Sequence, residues 1–201
     1  MRIVAGRHRG AALATPKGQD IRPTSDRVRE AVFNILAHGL GLEIGGARVL
    51  DLFAGTGALG LEAMSRGASF ALFVEESAEA RGLIRCNTET LGLMGASKIF
   101  RRDATDLGKI GAMAPFDLVF ADPPYGRSLG ERALTSAAHG GWLAPGAVAV
   151  LEESAQTECP PPAGFTVLDS RTYGGTAIYF LRSPGSFPGG TGYFPGGTSP
   201  G

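Results

Sequence analysis

"VLDLFAGTGALGLEA", residues 49–63, decides the fold. Its first half is a short apolar run ending at residues 52–53, and glycines follow at 55, 57 and 60 before a stretch of helix-forming residues. That is a strand, a Gly-x-Gly-x-x-Gly turn and the opening of a helix. Glycine lets the chain turn tightly and approach a ligand closely, and the helix N-terminus beneath favours a negative group. Several classes of nucleotide-binding α/β protein use such a loop, so it sets an architecture and leaves the chemistry open.

Outward from residue 63 the pattern repeats. "RVLDLF" (48–53) is followed by "FALFVE" (70–75), "SKIF" (97–100), "FDLVFA" (116–121), "AVAVLEE" (147–153), "FTVLDSRTY" (165–173) and "TAIYFLR" (176–182). Helical stretches lie between them at about 58–66, 77–91 and 128–138. This alternation predicts an α/β fold with a seven-stranded mixed sheet and helices on both faces, its last two strands able to pair antiparallel. Upstream, "PTSDRVREAVFNILAHGL" (23–40) predicts a helix, with Thr24 or Ser25 as its cap and Val28, Val32, Ile35 and Leu36 at helical spacing. Residues 1–23 are expected to form a small basic extension and 24–182 the single domain. The tail, 183–201, repeats Phe-Pro-Gly-Gly-Thr at 187–191 and 194–198 and is expected to be disordered.

A chain of 201 residues suits one domain with a full core. No apolar run approaches the ~20 residues that span a bilayer, and "MRIVAGRHRG" has no signal-peptide apolar region, so a cytoplasmic protein with no membrane partner is expected. Cys86 and Cys159 are too few for a disulfide framework or for a zinc site of about four ligands, and no metal is expected. Net charge is zero, but residues 1–30 carry seven Lys/Arg against three acids, a net of +4 that the remainder balances with −4. A basic arm on an acidic body fits a phosphate-rich partner, and Arg7, Arg9, Arg22 and Arg29 are the candidate contacts. The plain alternative, strongest for Arg27 and Arg29, ties them into the fold through Asp26 or Glu30.

The second strand ends on Glu75, twenty residues after Gly55, where a carboxylate can accept both hydroxyls of an adenosine ribose. A solvated turn is the alternative there. Asp51 stands just before the end of the first strand, where a dinucleotide loop usually stays apolar. S-adenosylmethionine has a cationic amine and no pyrophosphate, so a carboxylate beside the loop suits it better than NAD.

"FADPPYG", residues 120–126, carries the reaction. Proline cannot donate to a sheet ladder, so the strand stops here, at the edge where open α/β sheets bind ligands. The lone pair of an exocyclic amine is delocalised into its base, so the amine is a poor nucleophile. Strong acceptors on its N–H groups localise that pair and aim it. Asp122 can be one acceptor and the Pro123 carbonyl another, with Pro123 and Pro124 fixing the geometry. Tyr125 offers a ring to a base drawn out of its helix.

"DPPY" with "DLFAGTGALGLEA" resembles the amino-methyltransferases of the Rossmann-like class I S-adenosylmethionine-dependent fold. "RIVAGRHRG" (2–10) and "IRPTSDRVREAVFNIL" (21–36) narrow the resemblance to the bacterial RsmD family, over Arg2 to about Arg182. That family methylates the N2 amine of a guanine in 16S ribosomal RNA. The resemblance implies a monomer using S-adenosylmethionine, acting on RNA in a partly or fully assembled small subunit. It implies Asp51, Phe53, Gly55, Gly57, Glu75, Asp103 and Ala104 as cofactor-binding residues. Asp122, Pro123, Pro124 and Tyr125 become the catalytic shelf, and the segment from Arg22 to Arg29 closes over the cofactor. Some relatives carry phenylalanine at position 125, and most end soon after the last strand. Rival readings are a DNA adenine-N6 or cytosine-N4 methyltransferase, a non-catalytic RNA-binding assembly protein, and an NAD-linked oxidoreductase.

Overall fold

Each apolar run of the sequence becomes a strand in the computed structural model, which describes residues 1–16 and 26–185. The strands are β1 (Arg48–Leu52), β2 (Phe70–Val74), β3 (Ser97–Phe100), β4 (Phe116–Ala121), β5 (Leu143–Ser154), β6 (Thr166–Tyr173) and β7 (Thr176–Arg182). The helices are α1 (Asp26–Asn34), α2 (Ala58–Ser65), α3 (Ala78–Thr90) and α4 (Leu129–His139). The sheet runs β3-β2-β1-β4-β5-β7-β6. The first five strands in that order are parallel, and β7 is antiparallel to both β5 and β6, between which it inserts.

The inner strands β1, β2 and β4 and the second half of β5 read as continuous apolar runs because both faces of the sheet are covered there. On β1, Val49 enters one core and Leu50 and Leu52 the other. The first core takes Val32 and Phe33 from α1, Leu61 and Met64 from α2, and Ile84 from α3. The second takes Leu134 and Ala137 from α4 together with Trp142, whose buried Nε1–H donates to the Gly108 carbonyl at 2.8 Å. Each large apolar side chain so buried contributes about 1.5–3 kcal/mol.

Past Asn34 the helical path of α1 widens into a single π-type turn, Ile35–Gly39. The expected cap at Thr24 or Ser25 lies outside the described residues. The α3 helix is capped as its sequence suggests, with Ser77 Oγ accepting from the Ala80 N–H at 3.3 Å.

Residues 1–16, expected as an extension, are packed into the first core. Ile3 and Leu13 are buried there, and a single antiparallel bridge joins Arg2 to Ala12. Three buried polar side chains fasten this segment. Glu62 of α2 accepts from the N–H groups of Val4 (2.8 Å) and Ala5 (3.0 Å). Ser65 donates to the Ala5 carbonyl at 2.6 Å and accepts from the His8 N–H at 3.0 Å. Asn87 of α3 grips Ala14 through both its N–H and its carbonyl, and donates as well to the Thr56 carbonyl in the glycine turn.

For Arg29 this packing corrects the expected RNA contact and bears out the alternative that ties it to Asp26. It is fully buried, bonding to Asp26 at 2.9 Å and to the Arg2 carbonyl and lying 3.5 Å from Glu62. No phosphate can reach it. At the other end Ser183, one residue past β7, donates its N–H to the Ala147 carbonyl of β5 at 2.8 Å. The repeats at 187–191 and 194–198 lie outside the described residues. Among the described residues no helix is long and apolar enough to cross a membrane.

Candidate active site

The strand order reverses between β1 and β4, and the chain leaves these two strands in opposite directions. In open α/β sheets a crevice forms at that switch point, outside the carboxyl ends of the strands. The glycine turn follows β1 and the Asp122-Pro123-Pro124-Tyr125 segment follows β4, so the two motifs open side by side.

Side chains alternate between faces along a strand. Val49 of β1, Ala71 of β2, Phe120 of β4 and Val150 of β5 all face the first core. Counting onward by twos brings Asp51, Glu75, Asp122 and Glu152 to the carboxyl end of four consecutive strands on that same face. The sheet thus presents a row of carboxylates in the order Glu75, Asp51, Asp122, Glu152.

Their proximity has a cost. Asp51 is buried, and its Oδ2 accepts from the Gly60 N–H at 2.9 Å. Burial pushes its carboxyl well above the ordinary aspartate range; the Gly60 bond opposes this, while the charges of Asp122 and Glu75 add to it. A carboxyl raised on folding stabilises the protein fully below the unfolded value, and that contribution is lost as pH rises through the folded one. Asp51→Asn, which keeps an acceptor for Gly60, should therefore stabilise the protein at pH 7 and raise its melting midpoint. The gain should disappear below about pH 4; a midpoint that falls at pH 7 would contradict the charge row.

The glycine turn is tightly built. Phe53 has φ 59°, a left-handed conformation that costs a bulky residue about 1–3 kcal/mol and persists where the surroundings enforce it. Gly60 packs so closely on β2 that a Cβ would lie 2.5 Å from the Phe73 ring. Gly57 has φ 79° and opens α2. Glu75 leans back over this turn, Oε2 accepting from the Gly55 N–H at 2.9 Å and Oε1 from the Ser77 N–H at 2.8 Å. Asp103, exposed beyond β3, accepts from the Thr105 N–H at 2.7 Å and so caps the short turn Ala104–Asp106, in which Ala104 is buried. Glu75, Gly55, Gly57 and Asp103 therefore share one end of the sheet.

On the β4 side Pro123 is buried and Pro124 exposed. Tyr125 is half-buried, and its hydroxyl donates to Glu152 Oε1 at 2.5 Å and lies 3.1 Å from Thr176 Oγ1. Burial and the bond to Glu152 hold that hydroxyl above the ordinary tyrosine range. The next residue, Gly126, donates its N–H to Glu153 Oε1 at 3.0 Å. Sequence reasoning missed Glu152 and Glu153. The signal was the same one that picked out Glu75 and Asp122, an acid closing an apolar run.

Arg7 and Arg9 are exposed on the turn at residues 5–10, which the Arg7 N–H fixes to the Ser65 carbonyl at 2.9 Å. Arg22 lies outside the described residues.

Comparison with known proteins agrees with this geometry. The family described as "Conserved hypothetical protein 95" matches residues 1–182. "Ribosomal RNA small subunit methyltransferase D" of Escherichia coli is 37% identical over 179 residues, covering 88% of this chain and 87% of that one. "Putative rRNA methyltransferase YlbH" of Bacillus subtilis is 35% identical, covering 90% of this chain and all of that one. The solved structure of "Putative methyltransferase yhhF" from Escherichia coli superposes with a TM-score of 0.79 at 32% identity, covering 92% of this chain and 99% of that one. The fold is the Rossmann-like fold of class I methyltransferases. The chain belongs to the Conserved hypothetical protein 95 family, the RsmD family.

Proposed function

We propose that the protein transfers a methyl group from S-adenosylmethionine to the exocyclic N2 amine of a guanine in 16S ribosomal RNA. The observation that carries this reading is the carboxylate row at the switch point with Asp122-Pro123-Pro124-Tyr125 at its centre. Relatives named as ribosomal RNA methyltransferases, two of them of the small subunit, support RNA as the substrate.

The residues fit a cationic cofactor. Asp51, buried and crowded by two like charges, gains from a nearby positive charge and would lose further beside a pyrophosphate. Glu75 would hold the ribose hydroxyls, with Gly55 and Gly57 beside the methionine part, Phe53 lining the turn, and Asp103 and Ala104 at the adenine. Bound there, the cofactor supplies an electrophilic methyl on a sulfonium. Asp122 accepts one N–H of the target amine and the Pro123 carbonyl the other, so the nitrogen lone pair is localised toward the methyl. Charge developing on that nitrogen is stabilised by the Asp122 carboxylate, which needs no reorganisation because the prolines already hold it. Tyr125 packs against the base. Asp51→Asn, the stabilising change above, should accordingly weaken cofactor binding.

Labelled S-adenosylmethionine offered with DNA, free 16S RNA and small subunits tests the substrate class. Label in ribosomal RNA is expected, with small subunits the best acceptor. Label only in DNA, or in nothing, would overturn the reading.

Arg7 and Arg9 are read as phosphate contacts. Each neutralised phosphate steepens the log–log dependence of RNA affinity on salt by about 0.7–0.9. Changing both to Ala should make the slope shallower by roughly one to two while cofactor affinity is unaltered. A salt titration that overlays wild type would remove this turn from the RNA surface.

A further inference from the structure

We propose that Glu152 is a positioning residue for methyl transfer: by accepting the Tyr125 hydroxyl it fixes the aromatic ring on which the target base rests. This rests on the reading of Asp122-Pro123-Pro124-Tyr125 as the transfer shelf.

A ring that only stacks needs no hydroxyl. Here the hydroxyl is half of a short bond, 2.5 Å from Glu152 Oε1, formed across 27 residues of sequence. A phenol has one proton to donate. With that proton directed at the carboxylate, the 3.1 Å contact to Thr176 is completed by the threonine hydroxyl donating to the phenol oxygen. The relay Thr176 to Tyr125 to Glu152 joins the start of β7, the loop after β4 and the end of β5. Placing the Glu152 carboxylate where little of it meets water, at 9% exposure, is unfavourable unless hydrogen bonds compensate.

The adjacent acid holds the loop from the other side. Consecutive strand residues point to opposite faces, so Glu152 and Glu153 diverge around the sheet edge. Glu153 accepts from the Gly126 N–H at 3.0 Å and the Ser154 N–H at 2.7 Å. The loop is therefore tied by a side chain on one face and by its backbone on the other. Gly126 (φ 75°) and Ser128 (φ 50°) take the left-handed conformations this course requires, and at Ser128 that is strained. Transfer to a flat, weakly nucleophilic amine depends on the approach angle, and a misplacement near 1 Å can cost about 100-fold.

Glu152→Ala should lower kcat on ribosomal RNA about 10- to 100-fold while S-adenosylmethionine affinity stays within about two-fold. Tyr125→Phe, which keeps the ring and removes the tether, should lose as much. Glu152→Gln keeps an acceptor and should recover most of the rate. Because Glu152 acts through Tyr125, adding Glu152→Ala to Tyr125→Phe should cost nothing further. A role in stability alone would instead lower the melting midpoint and cofactor affinity together, and the two changes would multiply. If Glu152→Ala is poorly folded, Tyr125→Phe and Glu152→Gln decide. A rate within about three-fold of wild type for Tyr125→Phe, or multiplicative losses, overturns the inference. An Asp122→Ala control separates the two levels. If it remains active, the shelf reading itself fails; if it is inactive while Tyr125→Phe is normal, only the positioning role does.

Discussion

Asp122→Ala should abolish methyl transfer and leave cofactor binding largely intact. Asp122 follows β4 at the switch point, one residue before the buried Pro123, and on the proposed reading it acts on the target amine and not on the ribose. Removing one preorganised group that meets developing charge costs about 10²–10³-fold in kcat elsewhere, and here the same group also activates the nucleophile, so the loss should be at least that large. In the empty protein Asp122 is one of the charges that hold Asp51 above its ordinary range. A folded, cofactor-binding but inactive enzyme distinguishes a catalytic acid from a structural one. Turnover within a few-fold of wild type would remove the shelf mechanism.

Glu62→Ala should be the most destabilising single change in the polar part of the fold. Its carboxylate is completely buried and satisfies three donors, the Val4 and Ala5 N–H groups and Arg66 Nε at 2.8 Å, and it pairs with Arg29 at 3.5 Å. Truncation leaves the buried Arg29 guanidinium with only Asp26 as counter-charge and frees two backbone donors. Breaking a buried pair on one side costs about 3–5 kcal/mol, which for this size lowers the melting midpoint by roughly 6–20 °C. The loss should be accompanied by proteolytic opening of residues 1–16, the segment Glu62 fastens. Thermal denaturation and limited digestion read both. A midpoint within about 2 °C of wild type would mean the segment is held by Ile3 and Leu13 alone.

What the sequence made legible, and what it hid, follows from the range of the interactions. Strands β1, β2, β4 and the second half of β5 are apolar because both faces are buried, so the runs were visible within six or so residues. The same holds for the glycine turn, whose positive φ at Gly55 and Gly57 is a local demand. Glu75 and Asp122 could be placed because each ends such a run, and the sheet rule says which edge that is. Arg29 could be placed only in part. Its pairing with Asp26, three residues away, was one of the two readings its neighbours offered, and only the packing of α1 against α2 brings in Glu62, thirty-three residues away. Glu62 itself is an acid inside the mostly apolar "ALGLEAMS", an anomaly that points to a buried partner without naming it. The hold of Glu152 on Tyr125 was hidden for the same reason: it depends on β5 lying beside β4 and on β7 inserting before β6. Arg7 and Arg9 differ from Arg29 because the glycine-flanked turn at 5–10 leaves them no apolar surface to pack against.

The most direct test of the central claim is the chemical identity of the methylated nucleoside. Small subunits lacking the modification would be incubated with the full-length protein and S-adenosylmethionine, and their 16S RNA digested and analysed by mass spectrometry. The proposed function predicts N2-methylguanosine at one position, absent with Asp122→Ala. A methyl on adenine N6, on cytosine N4 or on a ribose, or no methyl at all, would contradict the account.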